Sequence, residues 1–447
     1  MTIFYAVILL GILIFVHELG HFLFAKLAKV KVLKFSLGFG PRVLGKKYGD
    51  TEYLISAVPL GGYVKMLGEE SGDEISAEDR ARAYNFQPVG KRMMIVISGP
   101  IFNILFAALV FALISVSGIP VPYPDIGKVA ENSPAARAGL MTGDRVAELN
   151  GSAVRSWDEI ESLMSKNRGN TLLFSIKRGE TVMQLSVTPE KKSEKDIFGE
   201  NREVWTSGIS PLLYPDVGAV TKGSPAEKAG LQKGDRIVEI EGVSLKTWQD
   251  MTAIIHENPG KPLRFRIKRS DHFMEVAITP EKSAVSGPGG EKKEIGLIGV
   301  RPLGNDFIKR YGPVEAVRFG VIKTWDVSEL TVVAIVKLIQ RIIPAETIGG
   351  PILIFQMAGQ QAAHGALSFF TFMAVISINL GILNLLPIPI LDGGHVLFLL
   401  IEAVRRKPVS EKVIMIAHKA GLAIIITLMI FAFYNDIMRL ITGKMIP

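Results

Sequence analysis

"FVHELGHFLF", Phe15 to Phe24, lies inside an apolar run that extends from Ile3 to Ala28. The twelve residues before it, "IFYAVILLGILI", hold no charge. Spanning a bilayer takes about 20 predominantly apolar residues, so this run reads as a transmembrane helix. Two histidines and a glutamate inside such a helix are costly to bury, and ionisable residues at that depth mark function. His17 and His21 stand at i and i+4, which places both imidazoles on one helix face. Glu18 is rotated about 100° away, beside a metal held by the histidines rather than on it. H-E-x-x-H on a helix fits a metal-assisted hydrolase, with the glutamate as base.

The rest of the chain agrees with a membrane protein. Of its 447 residues, 48% are hydrophobic. Further apolar windows run from Met93 to Ser117, from Leu367 to Leu391, and around His418 to Tyr434, giving about four spans. The first window has neither a basic leader nor a small-residue cleavage site, so it reads as a retained span rather than a signal peptide. Cysteine is absent, which excludes disulfides, thiolate metal ligands and a thiol nucleophile. The net charge of +8 is modest, with no aromatic-interleaved basic stripe, and nucleic acid is not an expected partner.

Basic residues orient the spans. The loop from Lys29 to Arg92 holds eleven of them, and "RRKPVSEK" (Arg405 to Lys412) adds four. Both loops read as cytoplasmic, with both termini and the long middle on the other side. That middle is duplicated. Residues 126–190 align with 217–281 at a fixed offset of 91 with 25 of 65 positions identical, including "SPA", "AGL", "GDR" and "TPE". Two copies indicate tandem globular modules rather than a solenoid. The order of strands and helices and the SPAxxAGLxxGDRI pattern resemble PDZ domains, giving expected modules at 124–191 and 207–283. PDZ domains capture an extended peptide or chain end at a sheet edge, so peptide tails are candidate partners. "SGIS", Ser207 to Ser210, is a candidate carboxylate-binding loop ahead of the second copy.

A catalytic metal needs a third protein ligand. "NLLPIPILDGGH", Asn384 to His395, is the other polar cluster at membrane depth, and both Asp392 and His395 qualify by chemistry. Pro387 and Pro389 break the helix, and Gly393 and Gly394 are expected to release the chain, as suits a cavity wall. HELGH in the first span, "GFGP", "LGGYVKM", the module pair and the N-x-x-P-x-P-x-L-D-G-G run together resemble the site-2 protease family of intramembrane zinc metalloproteases across essentially the whole chain. That resemblance implies one Zn2+ per chain on His17, His21 and Asp392, Glu18 as catalytic base, and Asn384 with Pro389 contacting substrate. Asn103, in "SGPIFN", is a candidate oxyanion contact or supporting group.

The resemblance also implies a membrane re-entrant β element within the 29–92 loop. Leu33 to Met66 suits it by alternation and glycine turns, with Tyr63, Gly38 and Gly40 as substrate-side positions. Gly312 to Ile343 is apolar but carries seven charges at helical spacing, which predicts amphipathic helices on the membrane surface within 305–346. The expected fold is thus a polytopic α-helical membrane protein with spans at 1–28, 93–118, 366–392 and 413–440, a re-entrant β element and two extracytoplasmic PDZ modules. Single-span membrane proteins are the implied substrates: an anti-sigma factor already cut outside, and signal-peptide remnants. The implied setting is the bacterial inner membrane; a transporter is disfavoured because the polar groups gather at one level near one metal, and an adaptor would tolerate Glu18→Gln without loss of activity.

Overall fold

The computed structural model describes residues 2–69, 75–196, 198–286 and 292–442. Two compact units result, one from Met1–Gly118 with Arg310–Pro447 and one from Ile119–Lys309.

In the first unit, four helices among the described residues are long and apolar enough to cross a bilayer. They are α1 (Thr2–Leu27), α2 (Val89–Ser117), α5 (Ala366–Asn384) and α7 (Glu411–Thr442). Between the second and third come α3 (Pro313–Ile339) and α4 (Pro351–Ala363), and α6 (Asp392–Arg405) precedes α7. Small residues set the crossings, as expected where lipid tails give no hydrophobic drive to helix association. A Cβ on Gly20 of α1 would lie 2.5 Å from the Ser98 carbonyl oxygen of α2, and one on Gly381 of α5 2.9 Å from the Pro100 oxygen. Leu9, Leu13, Ala6, Ala358, Phe369 and Met373 fill the core between α1, α4 and α5. By contrast α7 is almost wholly uncovered. Gly421 seats it on Pro389, and Asp436 caps the start of α4 by accepting from the Gly350 N–H at 2.9 Å and the Leu353 N–H at 3.1 Å.

Two long strands, β1 (Val32–Tyr48) and β2 (Thr51–Met66), follow α1. Each bends and pairs twice. Residues 34–37 face 62–65 on one side and 52–55 on the other, while 44–48 pair with 51–55. The result is a four-stranded mixed sheet in the order 62–66, 32–37, 51–56, 42–48, antiparallel at both outer ladders and parallel where 34–37 meets 52–55, with Gly38 (φ +91°) and Gly40 (φ +89°) at the bend. Phe35, Val64 and Met66 pack it against Ala25 and Ile95.

Three expectations change here. The third span does not run to residue 392: helix α5 ends at Asn384, and a separate α6 begins at Asp392. Gly393 and Gly394 do not release the chain. They sit in the first turn of α6 because a Cβ there would meet the Leu385 carbonyl carbon at 2.5 Å or the Pro389 Cα at 2.6 Å. Over 305–346, a strand (Asp306–Lys309) precedes one 27-residue helix, α3, which packs along α2 rather than lying apart from it. Gly320 permits this, since a Cβ would come within 3.1 Å of Ala112 Cβ, and Thr331 Oγ1 donates to Asn379 Oδ1 of α5 at 2.8 Å.

The second unit holds the duplicated modules. Each has a four-stranded sheet, Ser152–Ala153, Arg145–Leu149, Leu172–Arg178, Thr181–Val187 in the first and the offset equivalents in the second. Serine caps the short helix after each first strand, Ser133 Oγ accepting from the Ala136 N–H and Ser224 Oγ from the Glu227 N–H. The ion pairs repeat too: Arg178 with Asp144 as Arg269 with Asp235, and Arg145 with Asp125 as Arg236 with Asp216. The expected boundary at 207 is corrected. Strand Ile209–Pro211 pairs with Ile126–Val129, so the "SGIS" stretch closes the first module, and Val300–Pro302, beyond 283, closes the second on Val217–Val220. The signal was available: Gly208 and Pro211 match Gly299 and Pro302 at the same offset of 91.

Candidate metal centre

On α1 the i, i+4 spacing brings His17 and His21 together, with Nε2 atoms 3.2 Å apart. The break after Asn384 returns the chain so that Asp392, first residue of α6, meets both. Its Oδ2 lies 3.1 Å from His17 Nε2, and its Oδ1 lies 3.6 Å from His21 Nε2. These ligand atoms fall within 4.8 Å of one another, the one such group among the described residues. His395 is elsewhere: its ring faces His418 of α7, with centroids 5.3 Å apart. Of the two residues that chemistry left open, the aspartate is the one that lies beside both histidines.

The donors fit a cation. His21 Nδ1 lies 2.8 Å from the Ile95 carbonyl oxygen, which can only accept, so Nδ1 carries a proton and, in the neutral ring that binds a metal, Nε2 keeps the lone pair. That lone pair converges with His17 Nε2 and a carboxylate whose buried Oδ2 has no well-formed hydrogen bond. Negative and lone-pair density collected in a dry site is stable only around positive charge. Two imidazoles and one carboxylate at this spacing match the ligand set of a catalytic zinc.

Glu18 is close enough to both histidines and Asp392 to interact electrostatically with all three. Gly62 of β2 abuts it, and a Cβ at Gly62 would be 2.9 Å from Glu18 Cγ and 3.0 Å from Ile14 Cγ2. Gly99 of α2 floors the metal site. A Cβ there would be 2.6 Å from His21 Cε1 and 2.9 Å from His17 Cε1. Neither glycine stood out in the sequence, since a missing side chain has no chemistry to read. For Gly99 the available signal was its place in "SGPIFN", one helical turn before Asn103.

The other expected residues are placed as follows. Asn384 Nδ2 lies 3.5 Å from His17 Nε2. Asn103 is fully buried, and its amide points at His17 Nδ1 (3.3 Å) rather than into open space. Pro389 forms the wall on which Gly421 rests. After it Ile390 takes φ +97°, a strained value for a β-branched residue. Tyr63 sits beside Gly62 on the edge segment 62–66, its ring stacked on Phe39 (6.2 Å, 7°). Gly38 and Gly40 lie at the sheet bend and do not join the metal cluster.

A model of peptidase family M50 matches residues 5–428. The regulator of sigma-E protease RseP of Salmonella typhimurium is 37% identical over 456 residues, covering 97% of this chain and 98% of that protein. RseP of Escherichia coli is 35% identical over the same coverage, and protease RseP of Yersinia pestis 37% over 455 residues. Among solved structures, the PDZ domain of an SdrC-like protein from Listeria monocytogenes is 25% identical. It covers 21% of this chain and 87% of its own, with a TM-score of 0.16.

Proposed function

Because the chain belongs to peptidase family M50 and is a zinc metalloprotease of the site-2 type, we propose that it cuts single-span membrane proteins within the bilayer. One observation carries the reading: His17, His21 and Glu18, on a helix long enough to span a membrane, converge with Asp392 at the start of α6. The proposed substrates are an anti-sigma factor already shortened outside the membrane, and signal-peptide remnants. The proposed setting is the bacterial inner membrane, with both termini and the duplicated modules outside.

His17, His21 and Asp392 would hold the metal. Bound there, zinc would supply Lewis acidity toward a water and the scissile carbonyl. Everything else falls to the chain. A transmembrane helix hides its carbonyls in i to i−4 bonds, so substrate must be taken extended. Segment 62–66 is an edge of the sheet and passes Glu18 at Gly62, which suits strand addition there. Tyr63, Gly38, Gly40, Asn384 and Pro389 are the proposed substrate contacts. Glu18 takes the proton from the attacking water and returns it to the leaving nitrogen, as an acid-base group adjoining the nucleophile does. The PDZ modules would filter out untrimmed ectodomains or recruit chain ends.

The test is cleavage of a single-span substrate by the full chain in lipid, with and without a zinc chelator, and mapping of the cut. Glu18→Gln should retain zinc and lose cleavage, while His17→Ala, His21→Ala and Asp392→Ala lose both. Cleavage outside the membrane segment, or zinc retained in Asp392→Ala, would overturn the assignment.

A further inference from the structure

The two histidines differ in what holds their outer nitrogens. His21 Nδ1–H donates to the Ile95 carbonyl, 2.8 Å away, which in the neutral ring leaves Nε2 bare for a metal. For His17 to present Nε2 in the same way, its Nδ1 must carry the proton and find an acceptor. The group that Nδ1 meets, at 3.3 Å, is the Asn103 amide. With the amide nitrogen toward His17, two donors would face each other and Asn103 Oδ1 is left buried with no partner. A half-turn of the amide about its terminal torsion exchanges oxygen and nitrogen without moving any other atom. Burial alone does not choose between these orientations, because each leaves one amide atom unpartnered. The ligand role of His17 does choose.

The backbone of Asn103 is fixed from the far side. Ser377 Oγ donates to its carbonyl oxygen at 2.8 Å, and Gly381 lies against its Cβ. We propose that Asn103 is a positioning residue for the metal centre, its side-chain oxygen accepting the Nδ1–H of His17 and so holding Nε2 bare toward the metal. This rests on the reading of His17 as a ligand. In effect α1 is oriented by two acceptors of α2, one backbone and one side chain, placed eight residues apart.

The test compares Asn103→Asp, which keeps an acceptor of the same shape, with Asn103→Leu, which keeps only the volume. Zinc dissociation constants of the full-length variants are measured by chelator competition in lipid, beside helix content and thermal unfolding. Loss of such an outer partner weakens metal binding roughly 10- to 100-fold. That loss is expected for Asn103→Leu, with Asn103→Asp staying near wild type. A folded Asn103→Leu that binds zinc like wild type overturns the proposal. Should Asn103→Leu not fold, 15N spectra of histidine-labelled, metal-loaded wild type decide: a proton on His17 Nδ1 is required, and a bare Nδ1 refutes it. His17→Ala is the separate control, since unchanged zinc binding there would sink the ligand reading itself.

Discussion

Gly99→Ala replaces a hydrogen of α2 by a methyl group, and its predicted effect is loss of the metal centre. The new methyl carbon would stand 2.6 Å from His21 Cε1 and 2.9 Å from His17 Cε1. Carbon atoms rest at about 3.5–4.0 Å, so both rings must retreat by about 1 Å. They have little room to do so. Rotating His21 breaks its 2.8 Å bond to the Ile95 carbonyl, and backing α1 away opens the Gly20 contact with Ser98. A misplacement of about 1 Å in a reacting constellation costs about 100-fold in rate. The assay is kcat/KM on a single-span substrate in lipid, with zinc retention followed in parallel. Gly90→Ala is the control: it lies on the same helix, with nothing near its Cβ position. Alanine there should be neutral or stabilise the helix by up to about 1 kcal/mol. Cleavage and zinc binding by Gly99→Ala equal to those of Gly90→Ala would refute the steric argument.

Gly62→Ala places a carbon 2.9 Å from Glu18 Cγ, so kcat should fall while zinc affinity holds; joint loss of both would mean the sheet, not the base, had moved. Ile390→Gly relieves a φ of +97° that costs about 1–3 kcal/mol, so the unfolding midpoint should rise while cleavage falls as Asp392 loosens; a lower midpoint counts against the strain. In the second module, burial pushes the Asp235 carboxyl up, but Arg269, at 2.6 Å, and the Gln232 N–H outweigh it and hold the group below the usual carboxylate range. Its folded value being depressed, the stability it contributes is present at neutral pH and lost as pH falls through that value. Arg269→Leu should therefore destabilise the module by about 2 kcal/mol at pH 7, less than a fully buried pair would. The gap to wild type should close below about pH 4, read by Trp248 fluorescence; a gap that persists at low pH refutes the linkage.

The histidine pair was legible because helical period converts a spacing of four into a shared face. Four spans were legible because a bilayer selects for length and apolarity alone. Asp392 was not separable from His395 on chemistry, since their competition is settled only by how the chain turns after Asn384. The same turn hid α6: a Gly-Gly pair reads as a breaker, yet Gly393 and Gly394 open a helix that no side chain could otherwise bring so near Leu385 and Pro389. Alternation over residues 33–66 announced strands, but not that each would bend and pair on two sides. The module boundary was missed at Ser207 because the identity thins after "TPE", although Gly208 and Pro211 keep the repeat in step. Asn103 was legible as an intramembrane amide, but its target was not, because the distance from position 103 to position 17 is written only in the fold.

The ends of the second unit carry one more consequence. Strand Ile119–Pro122, where the chain enters it, pairs with Asp306–Lys309, where the chain leaves. Entry and exit are thus neighbours, and the loop-closure entropy of the long excursion between them is settled by that ladder rather than charged to the helices. A segment whose ends meet in this way is portable. Modules could be gained by duplication, trimmed or exchanged for unrelated ones while the two strands at the ends of the segment stay paired. The 91-residue register of the pair, kept even in its ion pairs, is what one such duplication leaves behind.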